Sequence, residues 1–219
     1  MLKLGEKGAI LQRDKETYAI AAHLPCGVVT PETLRTIADV AEKYDVKALK
    51  FTAAERIALV GIKEEDIDAV WADLGMTPGA AIGLCVRSVK ACPGTAFCQL
   101  GLQDSLGMGM KLDEKYHGME LPNKLKIGVS GCPNHCTDAP VRDIGLAGAK
   151  NGWRVYVGGC VGRKPRLGDL LAEDLSDDEA LALVDRIIEA DKKLCEKKER
   201  LGRIIDRIGL DKFREEVLG

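Results

Sequence analysis

Four of the eight cysteines fall into two pairs whose spacing could do chemistry. The first pair lies in Ala91-Cys92-Pro93-Gly94-Thr95-Ala96-Phe97-Cys98, spaced C-x5-C, and the second in Ser130-Gly131-Cys132-Pro133-Asn134-His135-Cys136, spaced C-x3-C. Each opens with Cys-Pro beside a glycine, the mark of a chain turning sharply so that sulfurs and backbone N–H groups face one point. Four converging thiolates are the ordinary way to hold an iron–sulfur cubane. Structural zinc takes four cysteines too, although its pairs usually leave two to four residues between partners and C-x5-C lies outside that habit. Spacing alone therefore leaves cluster and zinc both open, with unligated buried thiols as a third reading. Cys26, Cys85, Cys160 and Cys195 lack paired spacing and read as buried or incidental thiols. His135, a lone imidazole between two cysteines, reads as a hydrogen-bonding neighbour and not a ligand.

The elements that must position these residues can be read from periodicity and punctuation. Residues Thr17 to Ala22 suit a strand, broken at Leu24-Pro25-Cys26-Gly27. Thr30 is placed as an N-cap with Pro31 at the first helical position, and Leu34, Ile37, Ala38 and Ala41 follow at helical spacing. Val46 to Thr52 and Arg56 to Ile62 read as strands. A second helix is expected from about Glu64 to Leu74, stopped by Gly75. Strand, helix, two strands and helix make most of a ferredoxin-like split β-α-β unit, which is expected over residues 8–78, with the remainder, 79–219, as a second domain.

In that second part, Ala81 to Val89 is expected to be a strand delivering the chain to Cys92. Thr95 to about Tyr116 reads as mainly helical, despite Gly101, Gly107 and Gly109, with Cys98 in its first turn. Lys124 to Val129 alternates polar and apolar residues, so Lys124 and Lys126 should share one face of a half-buried strand. Asp143 to Ala149 and Trp153 to Val157 form a hairpin about Asn151-Gly152, and Ser176 to Glu179 is a capping box opening an amphipathic helix. A last helical region stops at Gly209 and restarts toward Val217. Trp71 and Trp153 are expected in cores. The fold class is thus α+β: a ferredoxin-like N-terminal domain, then a mixed α/β domain with C-terminal helices.

Composition narrows the function classes. A formal net charge of -2 makes no electrostatic case for nucleic acid or an anionic membrane. No apolar run approaches the roughly 18 residues of a membrane span, and the first residues carry no apolar signal core, so a cytoplasmic location is expected. Cysteines there are ligands or thiols more often than disulfides. Lys192-Lys193 and Lys197-Lys198, interleaved with acids, read as a solvated helix face, with a docking surface for an acidic electron carrier as the alternative. No G-x-G-x-x-G follows a strand, so electrons for any redox chemistry must come from a partner.

The residues around the cysteines closely resemble the siroheme and 4Fe-4S signature of the sulfite and nitrite reductase family. Ala22-His23-Leu24-Pro25-Cys26-Gly27 is similar to the family's Leu-Pro-Gly-Gly opening of its N-terminal domain. Val157-Gly158-Gly159 resembles its Gly-Gly strand end near the porphyrin, and Leu121-Pro122-Asn123-Lys124-Leu125-Lys126 its substrate-pocket lysine pair. The matches run from about Ala19 to Val217. Larger members carry two such halves, and this chain resembles the compact, single-repeat type.

The resemblance implies a cluster held by Cys92, Cys98, Cys132 and Cys136, with Cys136 shared with the siroheme iron. It implies reduction of sulfite to sulfide, with nitrite to ammonia as the alternative, or a cluster-bearing electron-transfer protein without siroheme turnover. Lys124 and Lys126 would hold the oxyanion and supply protons, joined in the pocket by Arg56 and His23. Arg87, Arg142, Arg163 and Arg166 are candidates to pair siroheme carboxylates, with Asn134, Gly158 and Gly159 near the cofactor. His23 and Ala54 stand near positions where larger members have arginine, and Thr137 and Asp138 replace a small residue and an arginine. Ferredoxin or another small carrier is the implied donor, and the pocket is completed either in a homo-oligomer, with Lys124 and Lys126 of one subunit reaching the other's siroheme, or in a monomer whose own lysines fold over its own cofactor.

Overall fold

The computed structural model of the protein describes residues 1–196 and 198–219, which divide into two compact units, Met1–Gly83 and Leu84–Gly219. The Lys197 of the expected basic face lies outside the described residues. Its neighbours Lys192 and Lys193 pair with Glu189 and Glu216, as a solvated face requires.

The first unit runs β1 (Ile10–Leu11), β2 (Thr17–Ala21), α1 (Pro31–Lys43), β3 (Ala48–Phe51), β4 (Ile57–Lys63) and α2 (Ile67–Leu74). Thr30 caps α1 as its spacing indicates, its hydroxyl accepting from the Thr33 N–H at 3.2 Å, and Gly75 closes α2 at φ 60°. The antiparallel sheet has the order β1-β2-β4-β3. Its core joins Tyr18, Ile20 and Leu59 of the sheet to Ile37 and Val40 of α1 and Ile67 and Val70 of α2. Trp71 packs at the margin, its indole N–H donating to the Lys7 carbonyl.

The second unit runs β5 (Val86–Ala91), α3 (Gly94–Phe97), α4 (Ser105–Tyr116), β6 (Leu125–Ser130), β7 (Ile144–Ala149), β8 (Gly152–Val157), β9 (Asp169–Leu175), α5 (Asp177–Leu194), α6 (Leu201–Ile208) and α7 (Leu210–Leu218). The sheet order is β5-β6-β7-β8-β9, parallel from β5 to β7 and antiparallel beyond. Helix α4 packs on β5 and β6, and α5 on β8 and β9. Ile127, Ile144, Leu146, Trp153, Val155, Ile187, Ile204 and Phe213 are all essentially inaccessible. No described helix is long and apolar enough to cross a membrane.

Three expectations are corrected. The strand expected from Ala81 begins only at Val86, since Ile82 to Leu84 form a bend in which Gly83 stands at φ 124°. The single helix expected from Thr95 is two, because Gly101 turns back against Gly94: a Cβ there would meet the Gly94 carbonyl carbon at 2.5 Å. Cys98 therefore caps the end of α3 in extended backbone (φ -101°, ψ 124°), not a helical first turn. Strand β9 has no counterpart in the sequence reading, as Asp169, Glu173 and Asp174 mask its alternation.

The capping box is present in both directions: the Glu179 N–H donates to the Ser176 hydroxyl, and the Ser176 N–H donates to the Glu179 carboxylate at 2.8 Å. Because α5 carries much of the second core, Ser176→Ala should lower the unfolding free energy by about 1 kcal/mol. Urea denaturation followed by circular dichroism would measure it, and an unchanged midpoint would contradict the capping role.

Candidate functional site

Both cysteine pairs leave the sheet at the same end. Strands β5 and β6 are parallel neighbours, with Ala91 opposite Val129, so Cys92 and Gly131 follow side by side at their carboxyl ends. In parallel sheets this is where ligands bind. The Cys92 N–H continues the ladder by donating to the Val129 carbonyl at 3.1 Å.

Glycine lets the two turns touch. A Cβ on Gly131 would stand 2.7 Å from the Gly94 Cα and 2.9 Å from the Gln103 carbonyl oxygen, and one on Gly148 would stand 2.4 Å from the Gly131 carbonyl oxygen. These are backbone-on-backbone contacts with no room for a side chain. The Gly131 carbonyl in turn accepts from the Leu102 and Gln103 N–H groups at 2.8 and 3.0 Å, tying the 98–104 segment to the second cysteine turn.

The second turn is braced at its base. The Ser130 and Thr137 hydroxyls lie 2.7 Å apart, and the Thr137 N–H donates to Ser130 Oγ. Arg142, 7% exposed, crosses Gly128, donates to the Thr137 carbonyl and pairs with Asp138, which also faces Lys90 at 3.8 Å. The residues that depart from the family pattern after the last cysteine, Thr137 and Asp138, are thus partners of Arg142. His135 holds a left-handed backbone (φ 51°) and packs edge-on against Tyr156. Its Nδ1 is buried without a hydrogen-bond partner among the described residues, and burial beside Arg154 lowers its pKa, favouring the neutral ring.

The donor set fits an iron–sulfur cluster. The Gly131 N–H points at Cys92 Sγ (3.1 Å) and the Ser105 hydroxyl lies 3.2 Å from it, contacts that stabilise a thiolate. Among the described residues no three cysteine sulfurs come within 4.8 Å of one another. Sulfurs on one tetrahedral zinc, each at about 2.3 Å, would stand roughly 3.8 Å apart. Cys132 is buried and Cys92 half-buried, while Cys98 and Cys136 reach the surface.

A cationic face lies toward the opposite, amino end of β6, where Lys124 immediately precedes the strand. Lys126 is half-buried on β6, opposite Ser88 of β5. Burial, with the charges of Arg142, Arg200 and Arg87, lowers its pKa, and Asp143 opposes the shift. Lys124 lines a cavity of about 390 Å³ with Cys160, Arg163, Lys164, Arg166, Arg200 and Arg203. Arg166 and Arg200 are held by carboxylates, whereas Lys124, Arg163 and Lys164 make no ion pair among the described residues, leaving positive charge for an anion.

Other expected site residues have local duties. Gly158 and Gly159 allow close packing within the unit: added Cβ atoms would stand 3.0 Å from the Gly202 Cα and 2.5 Å from the Pro140 carbonyl oxygen. Asn134 is exposed at the tip of the second turn. His23 and Arg56 belong to the first unit, where the His23 N–H donates to the Thr77 carbonyl and Arg56 is buried. Sequence reading missed Asp143, Asn123 and Asp191, buried polar residues behind the lysines. Asp143 accepts the Lys126 N–H at 2.9 Å and a two-nitrogen fork from Arg200. Nothing local announces that fork, whose partners are 57 residues apart.

Gly131→Ala should drive the two turns apart while sparing the sheet. Iron and labile sulfide per chain are expected to fall several-fold with far-ultraviolet dichroism unchanged, and a full complement of iron would show that the contact is dispensable.

Comparison with known proteins agrees with this geometry. Residues 82–219 match the nitrite and sulphite reductase 4Fe-4S domain, and residues 10–76 the nitrite/sulfite reductase ferredoxin-like half domain. The chain is 47% identical over 213 residues to an assimilatory-type sulfite reductase of Nitratidesulfovibrio vulgaris, spanning 97% of this chain and 98% of that one. It is 38% identical to a nitrite reductase [NAD(P)H] of Bacillus subtilis, covering 92% of this chain but only 25% of the relative. A crystal structure of dissimilatory sulfite reductase I shares the fold at a TM-score of 0.82 and 16% identity, over 92% of this chain and 69% of that one. With paired cysteine turns at neighbouring strand ends and both parts matched in order, the chain belongs to the nitrite and sulfite reductase family.

Proposed function

We propose that this protein reduces sulfite to sulfide with electrons from an external carrier such as ferredoxin. The observation that carries the reading is the meeting of two cysteine turns at adjacent parallel strand ends, in a unit whose β6 carries Lys126 and is preceded by Lys124 on a cavity with cations that make no ion pair among the described residues. Similarity favours sulfite over nitrite: the chain is 47% identical to the Nitratidesulfovibrio sulfite reductase and 38% identical to the Bacillus nitrite reductase. Nitrite is the second substrate, since both oxyanions suit the same cationic pocket. The free cysteines suit a reducing cytoplasm.

Cys92, Cys98, Cys132 and Cys136 would hold the 4Fe-4S cluster, with Cys136 also facing the siroheme iron. The bound pair would pass to the substrate the six electrons that the external carrier delivers in successive steps. What the chain's own residues contribute is charge and protons. Lys124 and Lys126 hold the oxyanion through mobile N–H donors. Each oxygen departs as water only after accepting protons, so a donor must release one readily. Lys126 suits that step because burial and the neighbouring guanidinium groups weaken its hold on a proton. Arg163, which lines the same cavity as Lys124, would pair a siroheme carboxylate. Arg87 adds charge near Lys126. Arg142 braces the turn first, since two of its three guanidinium nitrogens already bond within the loop.

Replacing both Lys124 and Lys126 by alanine should leave the absorption spectrum of the loaded protein intact and lower sulfite turnover with a reduced artificial donor by at least about a hundredfold. Native turnover in that variant would refute the pocket assignment. Cys136→Ser should lose the siroheme bands together with cluster iron. Retention of both would refute the ligand assignment.

A further inference from the structure

Behind the lysine pair lies a buried polar cluster that the proposed reaction leaves unused. Asn123, 1% exposed, directly precedes Lys124. Its Nδ2 donates to both oxygens of Asp191, at 2.8 and 2.9 Å, and its Oδ1 is buried without a hydrogen-bond partner. Asp191 is wholly buried in the last turn of α5. A primary amide offers donors on one side and an acceptor on the other, whereas an ionised carboxylate only accepts. Ionised Asp191 can therefore meet one side of Asn123. A protonated carboxyl meets both, its carbonyl accepting from Nδ2 and its O–H donating to Oδ1.

The surroundings favour that proton. Asp143, at the start of β7, and Glu199, in the segment before α6, are the acids that act on Asp191. The neighbouring guanidinium groups are directed elsewhere, Arg200 at Asp143 and Arg207 at Glu199. Cys195 turns its thiol to the Glu199 carbonyl and lies 3.6 Å from Asn123 Nδ2. Burial, opposed by the Asn123 bond and reinforced by Asp143 and Glu199, pushes the Asp191 carboxyl up to about 7.

We propose that Asp191 is a positioning residue for Lys124: its carboxyl keeps a proton that joins it edge to edge with the Asn123 amide, and this pair locks the backbone from which Lys124 projects. The inference rests on Lys124 being the reaction's lysine. Lys126 is held in a parallel way, its N–H bonded to Asp143 and Asp143 to Arg200. Because the folded value lies above the ordinary 3.8, the stability tied to this proton is complete below about 3.8 and is lost as pH rises through about 7.

Asp191→Asn tests this, since its carboxamide keeps one acceptor and one donor toward Asn123 at every pH. Two readouts on the loaded protein separate the inference from the reaction on which it rests. Hydrogen exchange of residues 121–126, corrected for intrinsic pH dependence, should rise above neutrality in the parent and stay low in the variant. In sulfite turnover, kcat of the parent should fall about tenfold from about pH 6 to about pH 8, while the variant stays within about twofold and KM moves little in either. Equal exchange in both proteins across that range overturns the locking pair, whatever the turnover. A protected segment with an alkaline kcat limb unmoved by Asp191→Asn overturns its link to Lys124. If the parent has no turnover with sulfite or nitrite, the reading of the reaction fails, and with it the role given to Lys124.

Discussion

The candidate site depends on a steric permission. Two chain reversals must come within backbone contact for their sulfurs to face one point, and Gly94, Gly101, Gly131 and Gly148 supply it. Each contact excludes a Cβ, so the surfaces that meet are peptide planes. Parallel pairing of β5 with β6 brings the reversals level, and the Gly131 carbonyl, accepting from two amides of the 98–104 segment, holds them there. A group bound between the two turns would meet backbone already ordered, which lowers the cost of arranging its ligands.

The same economy operates on the cationic side. Lysines are mobile point charges, and a pocket that uses two of them must restrict the backbone from which they spring. Asn123 and the Lys126 N–H are the points of restriction, tied to Asp191 of α5 and, through Asp143, to Arg200 at the start of α6. The C-terminal helices thus do more than cover the sheet. They carry the polar groups that fix the strand bearing Lys126, and a charged fork buried there is tolerable because its hydrogen bonds are made.

Much of the fold was legible because its signals are local. Thr30 with Pro31, Gly75 and the Ser176 box each mark an element end through a contact within a few residues and hold in the structure, while the hairpin expected at Asn151-Gly152 turns one residue earlier, at Lys150-Asn151, with Gly152 opening β8. The errors arose where distant contact overrides local preference. Helical propensity runs through residues 95–116, yet packing of Gly101 on Gly94 breaks the helix. Strand β9 is acidic enough to pass for a loop and forms because β8 offers an open edge.

Composition and spacing by themselves pointed to four cysteines in two sharp turns, with a cluster, zinc and unligated thiols all open, and to two lysines at alternate positions, of which Lys126 lies in β6 and Lys124 just ahead of it. Those conclusions need only residue type and short-range geometry. Tertiary structure alone decided that Arg142 braces the second cysteine turn, that Gly158 and Gly159 are consumed by packing, and that Asp143, Asn123 and Asp191 stand behind the lysines. The partners in that polar frame lie 57 and 68 residues apart in the chain, and no pattern along a sequence encodes a hydrogen bond that exists only once the sheet and its helices have packed.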